Sequence, residues 1–288
     1  MTDKPSLRTA IREGRFVVAP GLHDMMTVRI ANRIGFDFVY ASGYWLTASH
    51  LGLPDAGIAT YSQMLDRVAK LSELSTGAVI ADADTGYGGL LNVHHTVRGY
   101  EAAGVRGIQI EDQEFPKKCG HTPGKRVVPL AEAVRRLAVA AEARRNPEET
   151  LIIARTDARQ AEGFDAALAR AKAYAEVADI VFFEAPTSVD EMKRVAEAID
   201  KPLLANMAEG GVTPILTADE LKALGHAVAI FPALTALPAA AAAEASLRVL
   251  KETGGARGGP ARMDFREMCR IMGFEEVWEF DRRWASDD

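Results

Sequence analysis

The stretch Ala78-Val79-Ile80-Ala81-Asp82-Ala83-Asp84-Thr85-Gly86-Tyr87-Gly88 runs from an apolar core through two carboxylates into a glycine-rich turn. A short, continuous apolar run bounded by turn residues reads as a strand buried on both faces, the kind that parallel sheets contain. Beyond the glycines, residues 93–103 place apolar side chains at the spacing of an amphipathic helix. Strand, acidic turn and helix thus follow one another in a single unit.

The unit recurs along the chain. Strand-like runs at 16–20, 38–41, 78–81, 107–110, 151–154, 180–183, 203–205 and 228–231 are separated by helical patterns, notably at 61–74, 93–103, 130–144, 165–176, 189–199, 218–224 and 238–251. Eight such units predict a (β/α)8 TIM barrel, although an open doubly wound sheet would share the alternation. The acids favour the barrel. Asp82, Asp84, Glu111, Asp112, Asp157 and Glu184 each sit just past the apolar part of a strand, and in a barrel those strand ends converge on one mouth, where active sites are built.

Residues 1–254 are read as the barrel domain and 255–288 as a helical tail opened by a glycine-rich segment. The tail holds Phe265, Phe274, Trp278, Phe280 and Trp284, too few apolar residues to fold alone but enough to cover another surface, either a second subunit or its own barrel. The charged N-terminus is expected to lead into a strand almost at once. The Ala-rich stretch 236–250 is expected to be a packed helix, being interrupted by Pro238, Glu244 and Arg248 and shorter than the roughly 20 apolar residues that span a bilayer.

The chain of 288 residues is 48% hydrophobic and 26% charged, with formal charge −6, so its global field disfavours nucleic acid and anionic membranes as partners. Small-molecule chemistry is the better expectation. Only two cysteines are present, Cys119 and Cys269, without a CxxC pair, and no signal-like apolar segment opens the chain, which suits a cytoplasmic setting.

Asp82 and Asp84, at i and i+2, would point to one side of an extended backbone. Glu111 ends the next strand and Asp55 lies in the loop after the second. Solvated turn carboxylates are the plainer reading of any one of these, but acids clustered in a core repel one another unless a cation offsets them. Oxygen donors without a nearby His or Cys pair favour Mg²⁺, with Mn²⁺ as a substitute, over zinc.

The segment Phe115-Pro116-Lys117-Lys118-Cys119-Gly120-His121-Thr122-Pro123-Gly124-Lys125 is a long polar loop with Gly and Pro hinges, and it reads as a lid. Lys and His flanking Cys119 form an electropositive setting, expected to lower the thiol pKa so that it exchanges protons near neutrality. Cys269, in a Met-rich stretch, suits a packing role.

Lys117-Lys118-Cys119-Gly120-His121 closely resembles the lid signature of the isocitrate lyase and phosphoenolpyruvate mutase superfamily. Ser42-Gly43, Leu51-Gly52-Leu53-Pro54-Asp55, Asp82-Ala83-Asp84, Glu111-Asp112-Gln113, Ala154-Arg155-Thr156-Asp157 and Ala205-Asn206 follow in matching order, over roughly residues 10–250. The resemblance implies a (β/α)8 barrel whose last helix is exchanged between subunits of a homodimer or homotetramer. It implies that Asp82 binds Mg²⁺ directly, with Asp55, Asp84 and Glu111 acting through water. It further implies that Ser42, Gly43 and Arg155 hold the 2-oxo-acid portion of the substrate, with Tyr44, Gly120, Glu184 and Asn206 on the substrate side. Cys119 would protonate the carbon left by C–C cleavage, Tyr40 would be the hydroxyl base, and Lys117 and His121 belong to the same catalytic set.

Within the superfamily, the lid cysteine marks lyases, whereas mutases and decarboxylases generally lack it. The implied reaction is cleavage of a small 2-hydroxy dicarboxylate into a 2-oxo acid and a carboxylate. Methylisocitrate-cleaving members carry a Gly after Ser-Gly, a Thr two residues after the strand-seven Asn, and an Arg near the start of helix eight. Here Tyr44, Ala208 and Leu237-Pro238 stand instead, so a third carboxylate would be badly paired and an alkylated malate fits better. Oxaloacetate hydrolysis or decarboxylation, phosphonopyruvate-type P–C chemistry and a non-catalytic carboxylate-binding barrel are the alternatives.

Overall fold

The computed structural model describes residues 4–285. Eight strands, β1 (Val17–Leu22), β2 (Phe38–Ala41), β3 (Ala78–Asp82), β4 (Val105–Glu111), β5 (Leu151–Thr156), β6 (Ile180–Phe183), β7 (Leu203–Asn206) and β8 (Val228–Phe231), pair in sequence order. All neighbours run parallel, and β8 closes on β1 with Val17 opposite Val228 and Pro20 opposite Phe231. The open-sheet alternative is thereby excluded.

Thirteen helices stand among the described residues. Before β3 come α1 (Leu7–Arg12), α2 (Met25–Ile34), α3 (Gly43–Leu51) and α4 (Tyr61–Leu74). Between β3 and β8 come α5 (Leu90–Ala102), α6 (Leu130–Ala143), α7 (Ala158–Ala161), α8 (Phe164–Ala175), α9 (Val189–Ala198) and α10 (Ala218–Ala223). After β8 come α11 (Ala236–Thr253), α12 (Phe265–Ile271) and α13 (Phe274–Trp284).

Alternate strand residues fill the barrel with Phe38, Ile80, Ile153, Phe182, Leu204 and Ile230, while the intervening residues pack outward on the helices. The lower end is sealed by α1, a short helix in the charged N-terminal segment ahead of the strand expected at 16–20, which is β1. Ser6 caps it, and Leu7 and Ala10, three residues apart, enter the barrel core, where Leu7 abuts Gly107. A Cβ at Gly107 would lie 3.1 Å from the Leu7 side chain, so the small residue makes room for the plug.

The packing expected of the Ala-rich helix is not found within the chain. In α11 Ala236 is the single buried residue, and Leu247 and Leu250 are 65% and 51% exposed. The first tail helix, α12, reaches back to α2, where Arg33 and Glu267 form an ion pair. No helix among the described residues is long and apolar enough to cross a membrane.

Candidate active site

The strands of the mouth extend one or two polar residues past their apolar runs, and this sets the site. Asp82 ends β3, Glu111 ends β4, Arg155 and Thr156 end β5, and Asn206 ends β7. Asp82, Arg155 and Asn206, together with Tyr40, Ser42, Tyr44, Asp55 and Glu184, surround a cavity of about 290 Å³, and Cys119, Gly120 and His121 of the lid complete its wall. Gly43, Asp84, Glu111 and Lys117 lie directly behind that wall.

The extended geometry expected for Asp82 and Asp84 is absent. The strand stops at Asp82, and Asp84 turns into the left-handed region at φ 48°, donating its backbone N–H to Asp82 Oδ1 at 3.0 Å. The two carboxylates nonetheless face one point. A Cβ on Gly43, at the start of α3, would lie 2.9 Å from Asp82 Oδ2 and 3.2 Å from Asp84 Oδ1. The other oxygen of Asp82 is oriented by Gln109, whose Nε2 donates to Oδ1 at 3.1 Å.

Lys117 enters this acid cluster from the lid, hydrogen-bonding Asp55 and standing 2.7 Å from Asp84 Oδ1. Burial alone would strip its proton, but Asp84, Asp55, Glu111 and Asp82 hold its pKa well above the ordinary lysine value. Burial raises Asp84 to about 7, against the pull of Lys117 and with the repulsion of Asp82 and Asp55. Glu111 is pushed up by burial too, only partly countered by Arg155, whose Nη1 stands 3.5 Å away.

The opposite wall is built on Arg155. Its Nε and Nη2 donate to the two oxygens of Asp157 at 2.9 Å each, and its Nη2 lies 3.7 Å from Glu184 Oε1. This fork leaves the guanidinium flat and pinned, the geometry that recognises a carboxylate. Burial would raise the pKa of Glu184, but Arg155 and His121 hold it below the usual carboxylate range. His121 Nε2 is 3.1 Å from Glu184 Oε1, and Asn206 Nδ2 lies 3.2 Å from both Glu184 oxygens.

Two expected properties are corrected. Cys119 does not sit in a thiolate-stabilising field: its pKa is raised, because burial outweighs the hydrogen bond from the His121 backbone, and Lys117 is spent on Asp55 and Asp84. Tyr40 is buried and its phenol donates to Gln109 Oε1 at 3.0 Å. Burial and the Asp82 charge push its pKa far up, so it is held protonated, as a donor and not as a base.

Six acids, Asp55, Asp82, Asp84, Glu111, Asp157 and Glu184, face three bases, Lys117, Lys125 and Arg155. Both oxygens of Glu111 are buried without a hydrogen-bond partner. The donor set is all oxygen, and among the described residues no three His, Cys, Asp or Glu groups converge at ligand spacing. One direct carboxylate with the rest acting through water is how Mg²⁺ is usually held, so the residues fit a hydrated hard dication.

Gln109, Asp157 and Lys125 were not assigned roles by the sequence reading. Gln109 had a signal, a polar residue at an inward position of an otherwise apolar strand. Asp157 had its place among the acids that end strands, and Lys125 had none beyond the lid segment that contains it. Trp45, Ile230, Pro232, Ala233 and Leu237 form an apolar wall that depends on tertiary placement.

A closed parallel barrel with an acid cluster, a pinned guanidinium and a thiol-bearing lid at one mouth defines an enzyme for small carboxylates. Comparison then places it: residues 7–251 match the phosphoenolpyruvate phosphomutase family model. The chain belongs to the phosphoenolpyruvate mutase and isocitrate lyase superfamily. It is 44% identical to 2,3-dimethylmalate lyase of Eubacterium barkeri over 99% of both chains. It is 43% identical to 2-methylisocitrate lyase of Aeropyrum pernix, over 86% of this chain and 80% of that one. Oxaloacetate acetylhydrolase solved with 3,3-difluorooxalacetate superposes with TM-score 0.92 at 34% identity, covering 97% of this chain and 98% of that one. Phosphonopyruvate hydrolase solved with oxalate and Mg²⁺ gives 0.86 at 28%, over 97% and 98%.

Proposed function

We propose that this protein is a Mg²⁺-dependent carbon–carbon lyase that cleaves an alkylated malate into a 2-oxo acid and a carboxylate. One observation carries the reading: Cys119, still a thiol at neutral pH, lines the same cavity as the pinned Arg155 and an apolar wall ending in Leu237. The kinship with dimethylmalate and methylisocitrate lyases supports it.

Arg155, Ser42 and Gly43 would bind the carboxylate and oxygen of the 2-oxo-acid half, and the fixed guanidinium would meet charge as it grows on that oxygen. The phenol of Tyr40, held as a donor, orients Gln109 and through it Asp82. The 2-hydroxyl proton would pass to a carboxylate of the cavity wall, Glu184, which Arg155 and His121 keep ionised, and the adjacent C–C bond would break to give a carbonyl on one fragment and an enediolate on the other. Cys119 then delivers its proton to the carbon of that enediolate. Asp82 would hold Mg²⁺ directly, with Asp55, Asp84 and Glu111 through water, and the ion supplies further neutralisation of oxyanion charge. Tyr44, Leu237 and Ala208 leave alkyl groups in apolar surroundings and offer no cation to a third carboxylate. Lys117 and His121 keep the lid against Asp84 and Glu184. The exposed α11 and tail point to assembly as a homodimer or homotetramer, and two free cysteines suit a cytoplasmic enzyme.

The test is incubation with Mg²⁺ and a panel of 2-hydroxy and 2-oxo dicarboxylates, with products followed by mass spectrometry. Pyruvate with a carboxylic acid from an alkylmalate is the expected result. Turnover of oxaloacetate alone would replace this reading by hydrolysis or decarboxylation.

A further inference from the structure

Lys125 lies outside every role given so far, yet its side chain is 1% exposed. A lysine is buried so completely only when its charge is matched on several sides. Here Nζ donates to the carbonyl of Gly120, inside the lid, and to Asp157 Oδ1 at 3.0 Å. The same Asp157 oxygen accepts from Arg155 Nη2, and the other accepts from Arg155 Nε. Asp157 is itself fixed from below, its backbone N–H donating to Asp112 Oδ1 at 2.8 Å. One ammonium therefore joins the lid backbone to the carboxylate that aligns the guanidinium.

The fit at Gly120 shows how close the lid comes. A Cβ there would stand 2.2 Å from Arg155 Nη2 and 2.4 Å from Glu184 Oε1, so the lid backbone rests on the two groups that face the ligand. At its other end the lid is tied by Lys117 to Asp55 and Asp84, and by the Cys119 N–H to the Asp55 carbonyl at 3.1 Å. On the Arg155 side His121 meets Glu184 through its side chain, but among the described residues nothing besides Lys125 ties the lid backbone to the Arg155–Asp157 pair. Lys125 closes the second side.

We propose that Lys125 is a positioning residue that latches the lid to the Arg155–Asp157 pair, so that seating Cys119 and aligning the guanidinium become one event. The catalytic meaning rests on the lyase reading, but the latch itself does not. When the lid lifts, the Gly120 carbonyl leaves and Nζ keeps only Asp157. When it closes, Nζ regains a second acceptor and draws Asp157 into register with Arg155.

Hydrogen exchange of the whole protein, read for the Cys119 and Thr122 amides and for β5 and β6, tests the latch without any turnover. Thr122 reports because its N–H is bonded to the Cys119 carbonyl. In Lys125→Met the lid amides should exchange at least tenfold faster while β5 and β6 keep their protection. In Lys125→Arg, which restores the charge, most of that increase should disappear. Oxalate binding in Mg²⁺, measured by calorimetry, should weaken at least fivefold in Lys125→Met. If the methionine variant does not fold, Lys125→Gln, which removes the charge and shortens the side chain, carries the same expectation. Unchanged lid exchange overturns the proposal. So does an equal acceleration in β5 and β6, which would make Lys125 a general support of the barrel. Absence of lyase activity with accelerated lid exchange would count against the function proposed above and leave the latch standing.

Discussion

A thiol kept protonated by burial is a better proton donor to a carbanion than a thiolate, and this changes what Cys119 is for. The flanking lysines and histidine, read along the chain, suggested a lowered pKa; folding sends Lys117 to Asp55 and Asp84 and His121 to Glu184. Sequence neighbours are not spatial neighbours, so the residue was legible and its protonation was not. Cys119→Ser replaces this acid by a hydroxyl too weak to serve near neutrality, so kcat should fall on the order of 10²–10⁴-fold. Oxalate affinity should change little, because the thiol acts after bond cleavage begins. A kcat loss below about tenfold would remove Cys119 from the mechanism.

His226 gives a second expectation at this scale. Burial lowers its pKa from 6.5 to about 4, and its Nδ1 has no partner. The folded state therefore stays neutral where the unfolded chain takes up a proton, so stability is complete above pH 6.5 and declines as pH falls towards 4. Between pH 7 and 5 this amounts to ~2 kcal/mol. His226→Leu should flatten that part of the stability curve, measured by denaturant melts at the two pH values. An identical slope in wild type and variant would show that His226 is not what titrates.

At the level of elements, three strands coincide with their apolar runs, β2, β6 and β8, and others continue into polar residues at the mouth. Backbone pairing in a closed barrel does not require the side chain to be apolar, so the pattern fades before the strand does, where the site begins. Helices α1, α2, α3 and α7 fall outside the stretches that periodicity marks: α1 and α7 are six and four residues long, and α3 has no one-sided apolar stripe, with Gly43 against Asp82 at its start, while α2 is amphipathic and has no such reason. The lid loop was legible from its glycines and prolines, but its resting place was not. Gly120→Ala tests that place. The added methyl would meet Arg155 and Glu184 well inside contact distance, so the lid should seat poorly, lowering kcat at least tenfold. Thermal stability should hold, since a lid that stays open strains nothing. A fully active variant would mean that the closed arrangement is not the working one.

The molecule as a whole leaves its last segments without cover. Beyond Ala236 nothing in α11 is buried, and no residue of α12 or α13 is. Phe265 is 80% exposed, Trp284 68% and Phe280 63%, a density of large apolar groups that monomeric surfaces rarely carry. The aromatic tail was visible in the sequence, but what it packs on was not, because a helix's own apolar pattern does not say which surface it meets. The ion pair between Glu267 and Arg33 holds α12 near α2, so part of the tail touches its own barrel, and the rest is uncovered. Deleting residues 255–288 should then lower the number of subunits per particle, counted by light scattering, because the aromatic surfaces that would bind subunits are gone. It should lower the melting temperature on the order of 5 °C, corresponding to about 2 kcal/mol in a domain of this size. Catalysis should survive in part, since the cavity is lined by residues up to Leu237. A truncated protein with the full-length subunit number and melting point would place the assembly interface elsewhere and leave the tail aromatics without a function.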